Sequence, residues 1–473
     1  MAKRYEMKIL LLSPKAGESS YQKFSAWENV GLGLLYLSSA LKKQGFTVRV
    51  ALTDREEAEA LVAEFKPNVV GITCVTSTYN TAIGILDAVR ARDRSIITVM
   101  GGHHVTFTVR ETLKEPSVDY VVRGEGEEVF PALLGNIMKG KPHALIDGVC
   151  FEKDGEVYNT DTVALVKDIS KLTFPDRSAV EKYNPPNIYV LSSRGCPYQC
   201  TFCSASNLYG GVWRKRDVDD VLDELEGIRG IGDQAVTVQF GDETLTVDTR
   251  WAKQLCLGII ERGLKFKWYS NSRVDSLVRD PHLLDLMQEA GCRGLSLGLE
   301  SGLQEIIDSY RKGITLEQAV RAAEILREKS MFQQWYVMIG AGNEFDTREY
   351  IRKSIAFLKD FPFDLVQISI LTPFPGTHLY EQLEREGRLL HKNWDLYDGL
   401  HCVYRPLGIT VEELEKELTR AYRQVYLNAG LIKLLRRTYR FKNSLANSRS
   451  FLSFLDIAVR IGIFRQDIRD AVK

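Results

Sequence analysis

Residues 192–206 read SSRGCPYQCTFCSAS and place Cys196, Cys200 and Cys203 close together in a chain that holds eight cysteines in all. Their spacing is C-x3-C-x2-C. Thiolates are soft ligands suited to zinc or to iron–sulfur clusters. A structural zinc site takes four ligands, and no fourth Cys or His adjoins these three. Three thiolates on a cubane cluster leave one iron open to a further ligand. Gly195 and Pro197 suit a tight loop wound round a bulky group.

Apolar runs flank the cysteines at regular intervals. IYVLSS (188–193) comes just before them; AVTVQF (235–240), KWYSN (267–271), GLSLGL (294–299), WYVMIG (335–340) and DLVQISIL (364–371) follow. Between them lie stretches of helical periodicity, VDDVLDELEGIR (218–229), DPHLLDLMQEAG (280–291) and LEQAVRAAEILREK (316–329). Six such units predict a full or partial parallel barrel, a (β/α)6 TIM-like fold over residues 183–380. Its chemistry is expected at the carboxyl ends of the strands. The cysteines follow the first strand at that end.

Residues 1–142 carry a separate alternation. MKILLL (7–12), TVRVAL (47–52), VVGIT (69–73), IITVM (96–100) and DYVVR (119–123) read as strands, and 30–45, 81–93 and 127–140 as helices. Continuous apolar strands alternating with helices imply a parallel sheet covered on both faces. Five strands predict a flavodoxin-like, doubly wound α/β domain with ligands beyond the strand ends. Residues 143–182 break the pattern and read as a β-hairpin, with Asp-Gly at its turn, followed by a connector. Residues 381–473 read as a helical C-terminal region.

Lys plus Arg number 62 and Asp plus Glu 62, so net charge gives no sign of a nucleic-acid partner. No apolar run reaches the ~18 residues of a membrane span. The N-terminal apolar run is too short for a signal peptide and reads as a buried strand. A cytoplasmic location is expected, and with it reduced cysteines. Cys74, Cys150, Cys256, Cys292 and Cys402 read as buried structural thiols.

RGCPYQCTFC resembles the cluster loop of the radical S-adenosylmethionine (SAM) superfamily. The resemblance implies a 4Fe–4S cluster on Cys196, Cys200 and Cys203 with SAM on the open iron. One electron from the cluster then cleaves SAM to a 5′-deoxyadenosyl radical that abstracts hydrogen from an unactivated carbon. It also implies SAM contacts from Tyr198 and Phe202 in the loop. QFGDETLT (239–246) offers Asp242 and Glu243 for the SAM ammonium, the alternative being a solvated acidic turn. NSRVD (271–275) and GLESG (298–302) offer Asn271, Arg273 and Glu300, although Arg273 suits a structural ion pair equally well. LTPFPGTHLY (371–380) resembles the barrel's closing segment in relatives with a cobalamin domain.

A doubly wound domain ahead of such a barrel is similar to the cobalamin-dependent class. That resemblance implies cobalamin over the strand ends, facing the cluster. The implied contacts are Thr76, Ser77 and Thr78 after the third strand, Gly101, Gly102, His103 and His104 after the fourth, and Gly124, Glu125 and Gly126 after the fifth. The D-x-H-x-x-G motif that supplies an axial histidine elsewhere is missing, so none is assigned.

Three functions remain open. The first is a cobalamin-dependent radical SAM methyltransferase acting on an unactivated carbon of a large apolar substrate, such as a tetrapyrrole or a polycyclic isoprenoid lipid. It would consume one SAM for the radical and another to methylate cobalamin. The second is an oxidative cyclase or C–C coupling enzyme of the same architecture. The third is a non-catalytic cobalamin or iron–sulfur carrier. Either enzyme implies an electron donor such as flavodoxin or ferredoxin. Residues 430–455 carry six Lys or Arg and no acid, interleaved with apolar and aromatic side chains. They suit either a helix packed on the barrel or peripheral association with an anionic inner membrane surface.

Overall fold

The computed structural model describes residues 7–15, 30–158, 160, 162–179, 187–228 and 237–427. Strands β1 (Lys8–Pro14), β2 (Thr47–Thr53), β3 (Val69–Thr73), β4 (Ile97–Gly101) and β5 (Tyr120–Val122) pair in parallel in the order 2-1-3-4-5. That is the expected doubly wound order. Alternate residues of β1 serve opposite faces. Ile9 and Leu11 pack with Leu35, Leu41, Phe130 and Leu134 of the helices Leu32–Lys43 and Gly126–Met138. Leu10 and Leu12 pack with Val62, Ile85 and Val89 of the helices Arg55–Phe65 and Tyr79–Arg92. Sequence reasoning left Arg55–Phe65 unassigned. Only Ala58 and Val62 of that helix are buried, too thin a stripe to register as periodic. The signal that was available is Asp54, whose side chain caps the helix by accepting from the Glu57 N–H.

The hairpin forms as expected, as β6 (Val149–Lys153) and β7 (Glu156–Tyr158), with Asp154 and Gly155 both at positive φ. It is not part of a free connector. β6 pairs antiparallel with β5, so the hairpin extends the sheet to seven strands.

The second sheet holds β8 (Asn187–Val190), β11 (Thr237–Phe240), β12 (Lys267–Ser272), β13 (Cys292–Glu300), β14 (Phe332–Ile339) and β15 (Leu365–Ile370), all parallel and in chain order. The short ribbon β9 (Ser193–Arg194) and β10 (Arg214–Lys215) lies between the first two in sequence. β8 and β15 do not pair among the described residues, so the barrel is partial. Val238, Trp268, Leu297, Trp335 and Ile368 face the surrounding helices. The intervening positions, among them Gln239, Asn271, Ser296 and Tyr336, are half-buried on the opposite face.

Past the barrel the chain serves both domains. The helix Val411–Tyr422 starts with a capping box between Thr410 and Glu413. The Tyr422 hydroxyl accepts from the Ile368 N–H at 3.0 Å, and the Tyr426 hydroxyl from the Val366 N–H at 2.8 Å. These two side chains satisfy backbone donors along the edge strand β15. Trp394, Tyr397 and Val403 instead join the core of the first domain. Residues 430–455, where a basic surface helix was expected, lie outside the described residues. No helix among the described residues is long and apolar enough to cross a membrane.

Candidate functional site

The three cysteines sit on the loop that joins β9 to β10, at the carboxyl end of β8. Gly195, just before Cys196, has φ +90°, and a Cβ there would lie 2.1 Å from the Val212 carbonyl oxygen, so the entry to the loop takes only glycine. The Cys203 N–H donates to the Cys200 carbonyl at 3.1 Å, and the Thr201 N–H to the Tyr310 carbonyl at 3.0 Å. Tyr198 lies beneath the Arg273 guanidinium at 3.5 Å, and the Phe202 ring meets Tyr310 edge-on at 5.2 Å. Burial pushes the Cys196 thiol up and that of Cys203 to about 12. Coordination reverses that balance, since a thiol bound to a metal is deprotonated. The other five cysteines are buried thiols, as expected.

The strand ends beside the loop carry a chain of polar contacts. Asp242, fully buried, accepts from the Ser192 N–H at 3.2 Å and from the Ser192 hydroxyl at 2.8 Å, and it also accepts from the Ser193 hydroxyl. Its carboxylate therefore holds the strand that leads into the cysteine loop. Asn271 donates to the Asp242 carbonyl at 3.0 Å. Arg273 pairs with Asp275 at 2.9 Å and donates to the Lys312 carbonyl at 2.8 Å, the structural alternative weighed from its sequence. Glu300 has φ +66° at the end of β13 and pairs with Lys312 at 2.6 Å. A left-handed conformation is uncommon for such a residue. Gly298 makes room for the pair: a Cβ there would stand 2.1 Å from Glu300 Oε1.

A cavity of ≈ 570 Å³ opens between the domains. Its first wall is the strand ends of the N-terminal sheet, including Thr78, Gly101, Gly102, His103, Gly124 and Gly126. Its second wall comes from the barrel side and includes Leu191, Arg194, Tyr209 and Glu243. Glu243 is open to water within the cavity but enclosed by protein on most sides. That enclosure and the neighbouring Asp242 raise its carboxyl to about 7. His103 also lines the cavity, and the protein around it lowers its imidazole below the usual value. Gly102 has φ +106°, and a Cβ there would lie 2.4 Å from the Cys74 carbonyl oxygen.

A family model for the B12 binding domain matches residues 28–134, and one for the radical SAM superfamily matches residues 190–358. An uncharacterised methyltransferase of Pyrococcus horikoshii is 32% identical over 442 residues, 90% of this chain and 94% of that protein. The chain belongs to the cobalamin-dependent radical SAM methyltransferase family. The anaerobic magnesium-protoporphyrin IX monomethyl ester cyclase of Cereibacter sphaeroides is also similar, 28% identical over 97% of this chain and 76% of its own. Among solved structures, the cobalamin-dependent SAM radical enzyme OxsB with aqua-cobalamin and SAM shares the fold. Its TM-score is 0.72 at 17% identity, over 97% of this chain and 75% of that one.

The cofactors of this radical SAM enzyme are a 4Fe–4S cluster, SAM and cobalamin, and its residues fit them. Cys196 and Cys203 each lie close enough to Cys200 to feel its charge, so one loop gathers the three thiols. Each can hold a separate iron of one cubane. On the cobalamin side, the glycines at the ends of β4 and β5 leave backbone bare toward the cavity. A flat macrocycle approaches such a wall closely.

Several residues named from sequence stand elsewhere. Thr76, Ser77 and His104 are not on the cavity wall. Thr76 instead bonds His104 Nδ1 at 3.2 Å, and the His104 ring is buried against Tyr79 and Trp394. His103 and His104 are adjacent on a helix, so they point to different sides, and only His103 meets the cavity. Glu125 reaches the cavity, but its carboxylate is bound to Arg194 and Arg214. Sequence reasoning missed Arg194, Tyr209, Glu127 and Lys312. Arg194 was open to detection, being a charge inside an apolar strand end two residues before the first cysteine.

Proposed function

We propose that this enzyme transfers a methyl group to an unactivated carbon of a large, mostly apolar substrate, a tetrapyrrole or polycyclic isoprenoid lipid being the model class. The observation that carries the reading is that one cavity reaches both the bare strand ends of the cobalamin domain and Glu243 beside the cysteine loop. When bound, the cluster supplies the electron that cleaves SAM, and cobalamin carries the methyl group. The chain's own residues orient and enclose. Asp242 fixes Ser192 and Ser193 at the root of the cysteine loop. Arg273 stacks over the Tyr198 ring and holds it in place. Glu243, raised to about 7, is the candidate partner for the SAM ammonium, and such a partner would restore its charge. Electron delivery by flavodoxin or ferredoxin, and approach to an anionic membrane surface through residues 430–455, belong to the same proposal.

The test is anaerobic incubation with methyl-deuterated SAM and a lipid or pigment extract, read by mass spectrometry. A product carrying the labelled methyl is expected. Formation of 5′-deoxyadenosine with an unlabelled, oxidised product would favour the cyclase, which the similarity to the Cereibacter sphaeroides enzyme over 97% of this chain keeps as second reading. Replacing Cys196, Cys200 and Cys203 together with Ala should abolish the iron–sulfur absorbance and all 5′-deoxyadenosine. Persistence of a full cluster in that variant would refute its assignment to these cysteines.

A further inference from the structure

The cysteine loop 195–213 is closed at its neck by the two-stranded ribbon of β9 and β10, in which Arg194 stands directly opposite Arg214. Like charges in directly opposed positions of an antiparallel pair repel, and both side chains are at most a tenth exposed. Their counter-charge comes from the other domain. Arg194 reaches Glu125 at 3.0 Å and Glu127 at 2.8 Å. Arg214 reaches both oxygens of Glu125, at 2.7 and 2.9 Å. Glu125 also accepts from the Val166 N–H at 2.6 Å. The backbone around it is held just as closely: the Glu125 N–H donates to the Ala164 carbonyl at 2.8 Å, and a Cβ at Gly124 would lie 2.3 Å from that oxygen. Gly124 and Gly126, on either side of Glu125, form part of the cavity wall toward which cobalamin was assigned.

We infer that Glu125 couples the two cofactor sites: it neutralises the arginine pair that closes the cysteine loop while lying in the loop that receives cobalamin, so occupancy of one site raises affinity at the other. The inference rests on the cofactor assignment above. A ligand that orders residues 124–126 fixes the Glu125 carboxylate, and a fixed carboxylate holds the neck of the cysteine loop shut. The coupling is reciprocal by linkage. Glu125, Arg194 and Arg214 are positioning residues in this scheme, acting on SAM only through the loop.

The experiment uses the full chain with its cluster reconstituted anaerobically, and measures SAM affinity by titration calorimetry with and without hydroxocobalamin. Cobalamin should tighten SAM binding about tenfold, within the range usual for coupled sites. In Glu125→Gln the ratio of SAM affinities with and without hydroxocobalamin should fall below about twofold. Arg214→Gln should behave alike and guards against a fold defect peculiar to the first variant. Glu417→Gln, a buried acid paired with Arg352 rather than with Arg194 or Arg214, should retain the wild-type enhancement. Equal SAM affinity with and without cobalamin in the wild type, or full enhancement in either seam variant, would overturn the inference. Failure of the wild type to bind cobalamin at all would overturn it together with the assignment beneath it.

Discussion

Beyond β5 the cobalamin domain meets the rest of the chain through charge, and beyond β4 it meets it through rings. In the first seam Glu125 and Glu127 face Arg194 and Arg214. In the second, His104 lies between Tyr79 and Trp394 at centroid distances of 4.6 and 4.7 Å, and Phe107 lies so close to Gly376 that a Cβ there would stand 2.3 Å from its ring. The two do different work. Buried ion pairs roughly break even against apolar replacements, but they fix register and orientation. Aromatic burial stabilises without demanding one geometry so strictly. The charged seam lies beside the cysteine loop, where orientation matters. The aromatic seam packs the segment after the barrel onto the first domain, and through Gly376 it also meets Asn207 of the cysteine loop.

The largest expected effect breaks the aromatic seam. Trp394 is almost fully buried, and its indole N–H donates to Glu111 at 3.0 Å. Trp394→Ala should destabilise by about 3–5 kcal/mol, read as a shift in urea midpoint. Cluster content per folded molecule should stay at the wild-type level. A variant that keeps its stability but loses its cluster would reverse the roles given to the two seams.

Acid should act on the same seam. Burial lowers the His104 imidazole to about 3, against 6.5 when exposed. Between those values only the unfolded chain takes up the proton, so stability falls as pH drops below about 6.5. The loss is ~1.4 kcal/mol per unit, or about 2 kcal/mol at pH 5. Urea unfolding at pH 7 and pH 5 should show this component in the wild type and not in His104→Gln. Equal acid sensitivity in both proteins would mean that His104 is not held neutral.

How far these seams were legible differs for a physical reason. The parallel strands, the cysteine spacing and the doubly wound class of the first domain follow from patterns within short windows. KILLLSP announces a strand buried on both faces without reference to anything else. The seams depend on residues that meet only after folding: Glu125 is 69 positions from Arg194 and 89 from Arg214. Apart from Arg194, a charge at the end of an apolar strand, none of these side chains carries a mark that distinguishes it from a solvated charge. His103 and His104 were read alike because the helix that separates them, His103–Phe107, is too short to show a period. The hairpin was recognised by Asp154 and Gly155, but its attachment to β5 is a tertiary fact.

The smallest expected effect sharpens the comparison at the charged seam. Glu127 accepts from Arg194 at 2.8 Å, and both side chains are less than a tenth exposed. Glu127→Gln keeps an oxygen acceptor and removes the charge. Arg194 is not orphaned, because Glu125 remains at 3.0 Å. The loss should therefore sit at the low end for hydrogen bonds to charged groups, about 1.5 kcal/mol. Salt is the discriminating variable. Mobile ions screen exposed charges over a distance of about 10 Å at 0.1 M salt, shorter as salt rises, but they act weakly on buried pairs. The difference between wild type and Glu127→Gln should thus be the same in low and high salt. By contrast, the exposed pair Lys353–Glu349 should lose its small contribution as salt rises. If the Glu127 difference also vanishes at high salt, water reaches the seam, and the arginines at the neck of the cysteine loop are solvated rather than locked.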